Sequence, residues 1–158
     1  MSIKPSIAII LFLISCNTKV TTELTDQEKN VIAREIKNLV ENFLDPNTLS
    51  YETHVNMRAD VDGYIFAGDG QILFTDYNSY KEATKQSFED IQQFIEADNT
   101  QMFVYVLAKD AAACTTEFKG KYIDAAGDTI THNGCWTFIF KKLNNEWKVV
   151  QENGTHTH

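Results

Sequence analysis

The sequence lacks internal repeats, low-complexity tracts and any linker rich in proline or serine, and its 158 residues include only 2 prolines. Nothing in the composition divides the chain, and its length suits one domain. Basic residues are also scarce, with 14 Lys and Arg against 22 Asp and Glu. Because nucleic acids and anionic lipid head groups attract clustered Lys and Arg, we expect no nucleic-acid partner and no membrane attachment through surface charge.

The short motifs of several enzyme classes are absent too. The sequence contains no nucleophile elbow, no phosphate-binding loop and no His-Glu-x-x-His zinc motif. His156 and His158 alternate near the end of the chain, but two ligands are too few for a closed metal site. We therefore expect no metal and no cofactor, and we expect these two histidines to lie in a frayed tail.

The hydrophobic stretch at the start of the chain is too short to span a membrane. Residues 7–14 are all apolar, whereas a membrane-spanning helix needs about 20 such residues. The stretch is typical of a secretory signal peptide. The segment LISC that ends at Cys16 resembles a bacterial lipobox, in which the peptide is cut before a lipid-carrying cysteine. This predicts a signal peptide over residues 1–15 and a lipid-anchored protein of the bacterial cell envelope. An ordinary signal peptide or a buried helix is the alternative.

Helical patterns dominate the first half of the remaining chain. Residues 16–24 are polar and predict a tether. Thr25 and Glu28 have the spacing of a capping box, and the apolar residues that follow recur with helical periodicity. The capping box and the periodicity predict a helix that begins at this point. This helix opens the predicted domain, which spans residues 25–157.

Two further helices are predicted before the chain becomes rich in strands. Asp45 followed by proline predicts the start of a second helix, over residues 46–57. Ser79 and Glu82 form a second capping box. The apolar residues after it predict a third helix that runs to about residue 97.

The remaining segments predict β-hairpins. Residues 64–74 place a glycine-rich turn between two apolar runs, and residues 101–157 read as four successive strands. Gly127 suits the left-handed position of a three-residue hairpin loop, and Asn144-Asn145 suits a two-residue turn. These turns set the pairing of the late strands. The resulting register puts Cys114 and Cys135 on opposite faces, which predicts two free thiols.

One face of these late strands is predicted to be aromatic and to line a pocket. Pairing from the Asn144-Asn145 turn sets Gln151 opposite Phe138 and Asn153 opposite Trp136, so that both amides point into this face. Amides donate and accept hydrogen bonds and could orient a ligand; internal hydrogen bonding is the alternative. The predicted ligand-binding residues are Tyr105, Thr116, Phe118, Trp136, Phe138, Gln151 and Asn153.

The order of elements and three segments resemble the nuclear transport factor 2 superfamily, which includes SnoaL-like polyketide cyclases, scytalone dehydratase and ketosteroid isomerase. The segments are DGYIFAGDG at residues 62–70, CWTFIFKK at 135–142 and NEWKVV at 145–150. The resemblance covers about residues 25–157. It implies an α+β fold in which about three N-terminal helices wrap a strongly curved antiparallel sheet into a cone.

The resemblance also implies three functional hypotheses. The leading one is a pocket that binds a small, largely apolar molecule. The second is an isomerase, dehydratase or cyclase in which Asp62 transfers protons, although an aspartate in a solvated turn is the simpler interpretation. The third is a non-catalytic module that forms homodimers through the sheet. Family members often carry histidines where this chain has Gln151 and Asn153. We expect His132, near a strand end, to be exposed to solvent.

Overall fold

The computed structural model describes residues 23–157 of the chain. The predicted signal peptide, the lipidation site at Cys16 and nearly all of the predicted tether lie outside these residues. No helix among them is long and apolar enough to cross a membrane. Their elements are α1 (Asp26–Phe43), α2 (Tyr51–Asn56), β1 (Ile65–Gly68), β2 (Gln71–Phe74), α3 (Tyr77–Glu89), β3 (Ile91–Ala108), β4 (Ala111–Asp124), β5 (Thr129–Leu143) and β6 (Glu146–Thr157).

The start of α1 is the predicted capping box. The backbone N–H of Glu28 donates to Thr25 Oγ1 at 3.2 Å, and the N–H of Thr25 donates to Glu28 Oε2 at 2.9 Å. The two bonds satisfy groups that the first helical turn leaves without partners. The helix packs one face against β3 and β4. Its buried residues have helical spacing and are Ile32, Ile36, Val40 and Phe43.

The second helix is shorter than predicted. It begins at Tyr51, with Ser50 as its N-cap. Asp45 does not cap a helix; its Oδ1 accepts from the backbone N–H of Asn47 at 2.9 Å in a local turn. Side chains of this type compete with the helix for backbone hydrogen bonds, which explains why the helix starts late.

The third helix differs from the prediction at both ends. Its N-cap is Asp76, which accepts from the backbone N–H of Ser79, so the predicted box at Ser79 and Glu82 does not start it. The helix ends at Glu89, and residues 91–97 belong to β3. Hydrogen bonding to β4 overrides a helical pattern of apolar residues in this segment.

The six strands among residues 23–157 form one sheet in the order β2-β1-β6-β5-β4-β3. All neighbouring pairs are antiparallel except β1 and β6, which are parallel, so the sheet is mixed rather than purely antiparallel. The pairing of β3 with β4 is interrupted by four register shifts. Such irregularities increase the local twist of a strand. They help to curve the sheet around the side covered by α1.

The predicted turns are confirmed. Gly127 has φ 87°, and Asn144 and Asn145 have φ 50° and 69°. Asp69 and Gly70, between β1 and β2, also have positive φ. These values match the turns that connect tightly paired antiparallel strands. The predicted pairing of β4 with β5 is confirmed at each position for which a partner was predicted.

The predicted pairing of β5 with β6 is correct only near the turn. Val149 lies opposite Phe140 as expected, but the next pair is Gln151 opposite Ile139, so Val150 is an extra residue. A one-residue shift reverses the face of every later side chain. Gln151 and Asn153 are therefore exposed on the outer face, which corrects their predicted direction.

Glu152 takes the interior position. It lies opposite Phe138, and Gly154 lies opposite Trp136. A carboxylate thus occupies the place where the sequence predicted an amide. The side chain of Glu152 is only 1% exposed.

The two cysteines described by the structure are both free, as predicted. Cys114 is buried on the inner face and Cys135 is exposed. Burial raises the pKa of the Cys114 thiol to about 11, because a buried thiolate loses its hydration.

The outer face of β3 carries apolar side chains. Phe103, Tyr105 and Leu107 are 68%, 71% and 55% exposed. They alternate with inward-facing residues of the same strand. The prediction that Tyr105 lines the pocket is wrong, because the register of β3 directs it outward.

Candidate ligand pocket

A cavity of about 250 Å³ lies between the helices and the concave face of the sheet. Of the residues predicted to bind a ligand, Thr116, Phe118, Trp136 and Phe138 line it, whereas Tyr105, Gln151 and Asn153 do not. Its aromatic lining residues, excluding histidines, are Phe43, Phe66, Phe88, Phe94, Phe118, Trp136 and Phe138.

Asp62 lies outside this cavity. Its residue is exposed, and it precedes Gly63, which has φ 81° in a turn. A carboxylate needs an apolar surrounding to be tuned for proton transfer near neutral pH. The structure therefore gives no basis for proton transfer by Asp62 inside the pocket.

The hydroxyl group of Thr116 has no hydrogen left to donate to a ligand. Its residue is 1% exposed. Its hydroxyl lies 2.6 Å from Asn99 Oδ1 and 2.9 Å from the carbonyl oxygen of Gln101. A threonine hydroxyl has one hydrogen to donate. That hydrogen is used within the protein.

A buried ion pair lies in the pocket wall. Arg58 Nε donates to Glu152 Oε1 and Arg58 Nη2 donates to Glu152 Oε2, each at 2.8 Å. Both side chains are almost fully buried. Two parallel bonds of this kind fix the orientation of both groups as well as their separation.

Two further donors complete the surroundings of Glu152. The hydroxyl of Tyr64 donates to Oε1 at 2.8 Å, and Trp136 Nε1 donates to Oε2 at 3.1 Å. Burial, followed by the Glu152 charge, raises the pKa of Tyr64 well above its ordinary value. Tyr64 therefore stays a neutral donor. The Glu152 carboxylate is held by four hydrogen bonds from protein donors.

Hydrogen bonds to backbone groups hold Arg58 and its neighbours in place. The backbone of β6 pairs with the segment after α2, through bonds from Val149 N to Met57 O at 2.8 Å and from Ala59 N to Val149 O at 2.9 Å. Arg58 Nη1 also donates to the carbonyl oxygen of His54 at 2.7 Å. Burial, the largest single influence, would lower the pKa of Arg58, but Glu152 together with Tyr80 and Tyr64 outweighs it and raises that pKa. The guanidinium stays charged.

Aromatic rings surround the guanidinium. The centroids of Phe43, Tyr80 and Phe138 lie 4.9, 5.4 and 5.8 Å from its central carbon. The faces of aromatic rings attract cations, and the attraction grows when water is excluded. The charge of Arg58 is therefore balanced by one carboxylate and by ring faces.

His54 is a neutral group on the pocket wall. Its ring centroid lies 4.9 Å from that of Phe43 and 5.3 Å from that of Phe88. Burial, and then the charge of Arg58, keeps the pKa of His54 well below its usual 6.5. Its Nδ1 atom is buried and has no hydrogen-bond partner among residues 23–157.

His132 and His156 lie together on another part of the wall. Their rings are stacked, with centroids 6.1 Å apart and planes 18° apart. The predictions of an exposed His132 and of a frayed tail at His156 are wrong: His132 is half-buried, and β6 extends to Thr157. Burial, and then His156, lowers the pKa of His132. His158 lies outside the described residues.

The sequence matches no protein-family model and no curated protein. Its structure is nevertheless similar to that of a nuclear transport factor 2-like protein of unknown function from Prochlorococcus marinus. The two are 19% identical, the match covers 85% of this chain and 95% of the other, and the TM-score is 0.61. This chain has the nuclear transport factor 2-like fold. The predicted α+β cone is thereby confirmed.

Other proteins with the nuclear transport factor 2-like fold are as similar. A candidate scytalone dehydratase from Novosphingobium aromaticivorans is 13% identical over 85% of this chain and 89% of its own, with a TM-score of 0.68. A hexachlorocyclohexane dehydrochlorinase from Novosphingobium barchaimii is 12% identical over 85% and 92%, with a TM-score of 0.65. At these identities the likeness concerns the fold.

The buried polar residues of the pocket wall were not predicted from the sequence. Arg58, Glu152 and His54 were not among the predicted site residues. The available signal was the pair Val149-Val150, which gives β6 one apolar residue more than strict alternation allows. A bulge at that point would have directed Glu152 inward.

No group of three or more His, Cys, Asp or Glu within residues 23–157 is arranged to hold a metal ion.

Proposed function

We propose that this domain binds a small, largely apolar molecule inside its cone. The observation that carries the proposal is the cavity of about 250 Å³ with its aromatic lining. Ligand pockets have volumes of roughly 300–1,000 Å³. A cavity just below this range suits a compact ligand with one or two rings.

The buried part of the wall around Arg58 and Glu152 favours an uncharged ligand, whereas Glu96 and Lys119 line the cavity elsewhere. Arg58 and Glu152 neutralise each other through two hydrogen bonds of 2.8 Å. His54 is neutral, because burial and Arg58 depress its pKa. A charged ligand would lose its hydration without meeting an unpaired opposite charge in this part of the wall. A single hydroxyl or carbonyl group could bond to His54.

The two tryptophans allow a direct test. Trp136 lines the cavity, whereas Trp147 packs outside it and donates to Glu35 Oε2 at 2.8 Å. In a Trp147→Phe protein the emission comes from Trp136 alone. The uncharged probe 5-nitrobenzisoxazole is small and planar, and its nitro group quenches tryptophan. We expect saturable quenching.

A pair of variants on β3 makes the test specific. Ala97 lines the cavity, and Ala97→Phe should fill part of it and abolish the saturable quenching. Gln93 is exposed on the same strand, and Gln93→Phe should leave quenching unchanged. Equal quenching in both variants would reject the pocket. Native mass spectrometry of protein from its own host should then show a small bound molecule in the wild type and not in Ala97→Phe.

We also propose that the chain is anchored in the bacterial cell envelope by a lipid on Cys16. The support is the lipobox-like segment that follows an apolar stretch of signal-peptide length. Labelling with radioactive palmitate should mark the wild type but not Cys16→Ala. A Cys16→Ala protein that still carries the label would contradict the anchor.

A second candidate function is self-association of two copies through the outer face of β3. The supporting observation is the exposed apolar row of Phe103, Tyr105 and Leu107. Contiguous exposed apolar side chains mark interaction surfaces. Sedimentation equilibrium should show a dimer that Tyr105→Asp dissociates. Gln93→Asp, an exposed change near the other end of the same strand, should leave the dimer intact, and a monomeric wild type would end this candidate.

A further inference from the structure

The exposed apolar row on the outer face of β3 continues across the two neighbouring strands. Ala113 of β4 lies opposite Tyr105, and Ile139 of β5 lies opposite Ala113. Side chains of directly opposite residues lie on the same face of a sheet. The row therefore belongs to an outer patch that extends over three strands and consists of Phe103, Tyr105, Leu107, Ala113, Thr115, Thr137 and Ile139.

The two threonines add little polarity to the outer patch. Thr115 of β4 lies opposite both Phe103 and Thr137. The hydroxyl oxygens of Thr115 and Thr137 lie 2.9 Å apart and share a hydrogen bond. Every residue of the outer patch is uncharged, although the chain has 22 Asp and Glu. Because hydroxyl groups that are hydrogen-bonded to each other lose less when water is removed, this surface can leave water at a low cost.

The chain enters the domain beside one end of the outer patch. Lys109 follows Leu107 by two residues, and its Nζ lies 3.6 Å from Glu28 Oε1 in the first turn of α1. Leu24 lines the same surface recess as Lys109 and Glu28. From there β3 leads back to Phe103, the far end of the row, over a strand length of about 20 Å. The outer patch is thus the apolar surface next to the point where the chain enters.

The proposed lipid on Cys16 would keep a bilayer within reach of this surface. Residues 16–23 separate that cysteine from Leu24. A segment of this length spans at most about 28 Å even when it is fully extended. Tethering also raises the effective concentration of the two surfaces, so that a contact too weak to form between free partners can form.

We propose that the outer patch rests on the bilayer that carries the Cys16 lipid, with Phe103, Tyr105 and Leu107 in the interfacial layer of the membrane. The partner is a lipid surface, which these side chains recognise through apolar contact rather than through charge. Tyrosine is enriched at the boundary between head groups and acyl chains, where its ring is buried and its hydroxyl stays hydrated. The contact rests on the proposed lipid anchor. A second copy of the chain would compete for the same surface, and the position of the chain entry favours the bilayer.

This contact gives the ligand pocket an orientation. The first helix packs against β3 and β4 on the inner face of the sheet, and the cavity lies between the helices and that face. The outer patch lies on the opposite face. With the outer patch on the bilayer, the cavity faces the aqueous compartment, so that its ligand arrives through water rather than from the membrane.

A single fluorescent label tests the contact. The background is Cys135→Ser, since Cys16 carries the lipid and Cys114 is buried. Ala113→Cys then places the label inside the outer patch. The lipidated protein is reconstituted into vesicles of phosphatidylcholine and phosphatidylglycerol whose acyl chains carry a nitroxide quencher, and we expect the label to lose most of its emission. The matched control is Asn38→Cys, an exposed position on α1 at the other side of the sheet, where the label should keep its emission.

Two substitutions in β3 show whether the apolar row makes the contact. Tyr105→Asp, added to the Ala113→Cys protein, places a charge in the interfacial layer and should restore the emission. Gln93→Asp, an exposed change near the other end of β3, should leave the loss of emission unchanged. Energy transfer between donor-labelled and acceptor-labelled copies on the same vesicles detects a second copy in place of lipid.

Flotation of the protein with the vesicles separates this inference from the lipid anchor. Flotation, together with quenching of the Ala113→Cys label that Tyr105→Asp removes, would support both. Flotation with equal emission from the Ala113→Cys and Asn38→Cys labels, or with quenching that Tyr105→Asp leaves unchanged, would overturn the contact while the anchor stands. Energy transfer that persists without quenching by lipid would assign the outer patch to a second copy and would also overturn the contact. A wild type that stays in solution would reject both.

Discussion

Arg58 and Glu152 lie 94 residues apart in the sequence and form two hydrogen bonds of 2.8 Å in the pocket wall. The pair joins the segment after α2 to β6. Each partner offsets part of the cost of burying the other, because an isolated buried charge is strongly unfavourable. The contact therefore couples the helical layer to the sheet at the position where a ligand would bind.

Removing one charge of this pair should destabilise the fold. Glu152→Gln leaves the Arg58 guanidinium buried without a counter-charge, and we expect the free energy of unfolding to fall by about 3–5 kcal/mol. Urea denaturation measures it. The matched control is Glu146→Gln, which removes a carboxylate 3.0 Å from Lys148 in an exposed pair. The control should cost less than about 1 kcal/mol; equal losses would contradict the role of the buried pair.

Acid should destabilise the protein through two histidines whose pKa values are lowered in the folded chain. His54 has a pKa held well below 6.5 by burial and then by Arg58, and the pKa of His132 is lowered by burial and then by His156. Below pH 6.5 the unfolded chain binds protons that the folded chain does not. The free energy of unfolding therefore has its full value above pH 6.5. It decreases as the pH falls, by up to about 1.4 kcal/mol per pH unit for each proton that only the unfolded chain binds.

A variant isolates the contribution of His54 to this pH dependence. His54→Phe keeps a ring beside Phe43 and removes the titrating group. The free energy of unfolding, measured by urea denaturation between pH 7 and pH 5, should depend less steeply on pH in this variant. An unchanged dependence would show that His54 is protonated as readily in the folded as in the unfolded chain.

Gly154 allows Trp136 to lie flat against β6. A Cβ atom at this position would meet the indole ring of Trp136 and the carbonyl oxygen of Cys135. Gly154→Ala should therefore displace the indole, lower stability by about 1–3 kcal/mol and change the emission spectrum of Trp136. Gly127→Ala, at a turn glycine with no atom within 4 Å of such a Cβ, should lower stability through its positive φ without changing the emission. Identical spectra for both variants would contradict the contact.

The two described cysteines should differ in reactivity. In a Cys16→Ala protein, Cys135 should react promptly with Ellman's reagent because it is exposed. Cys114 is buried, and its pKa of about 11 leaves almost no thiolate at neutral pH. It should react only after unfolding. Cys135→Ser should remove the fast phase, and a fast phase that persists in this variant would show that Cys114 is accessible.

Local signals predicted much of the fold because they depend on neighbouring residues. The Thr25 capping box and the Gly127 and Asn144-Asn145 turns are confirmed, and the turn after β4 correctly set the register of β4 with β5. From that register, four residues on these strands were predicted to face the pocket, and all four line it. The start of β3 was missed because its apolar spacing also fits a helix, and only pairing with β4 decides between the two.

The sequence by itself determined the turns, the first helix cap and the aromatic face of the sheet, since each depends on conformational preferences within a few residues. The tertiary structure alone decided which charges enter the cone. The extra residue at Val150 reverses the following positions, so that Glu152 faces inward and Gln151 outward. That bulge is stable because the Glu152 carboxylate accepts hydrogen bonds from Arg58, Tyr64 and Trp136, which lie on three other segments of the chain. A local sequence pattern does not reveal contacts between distant segments.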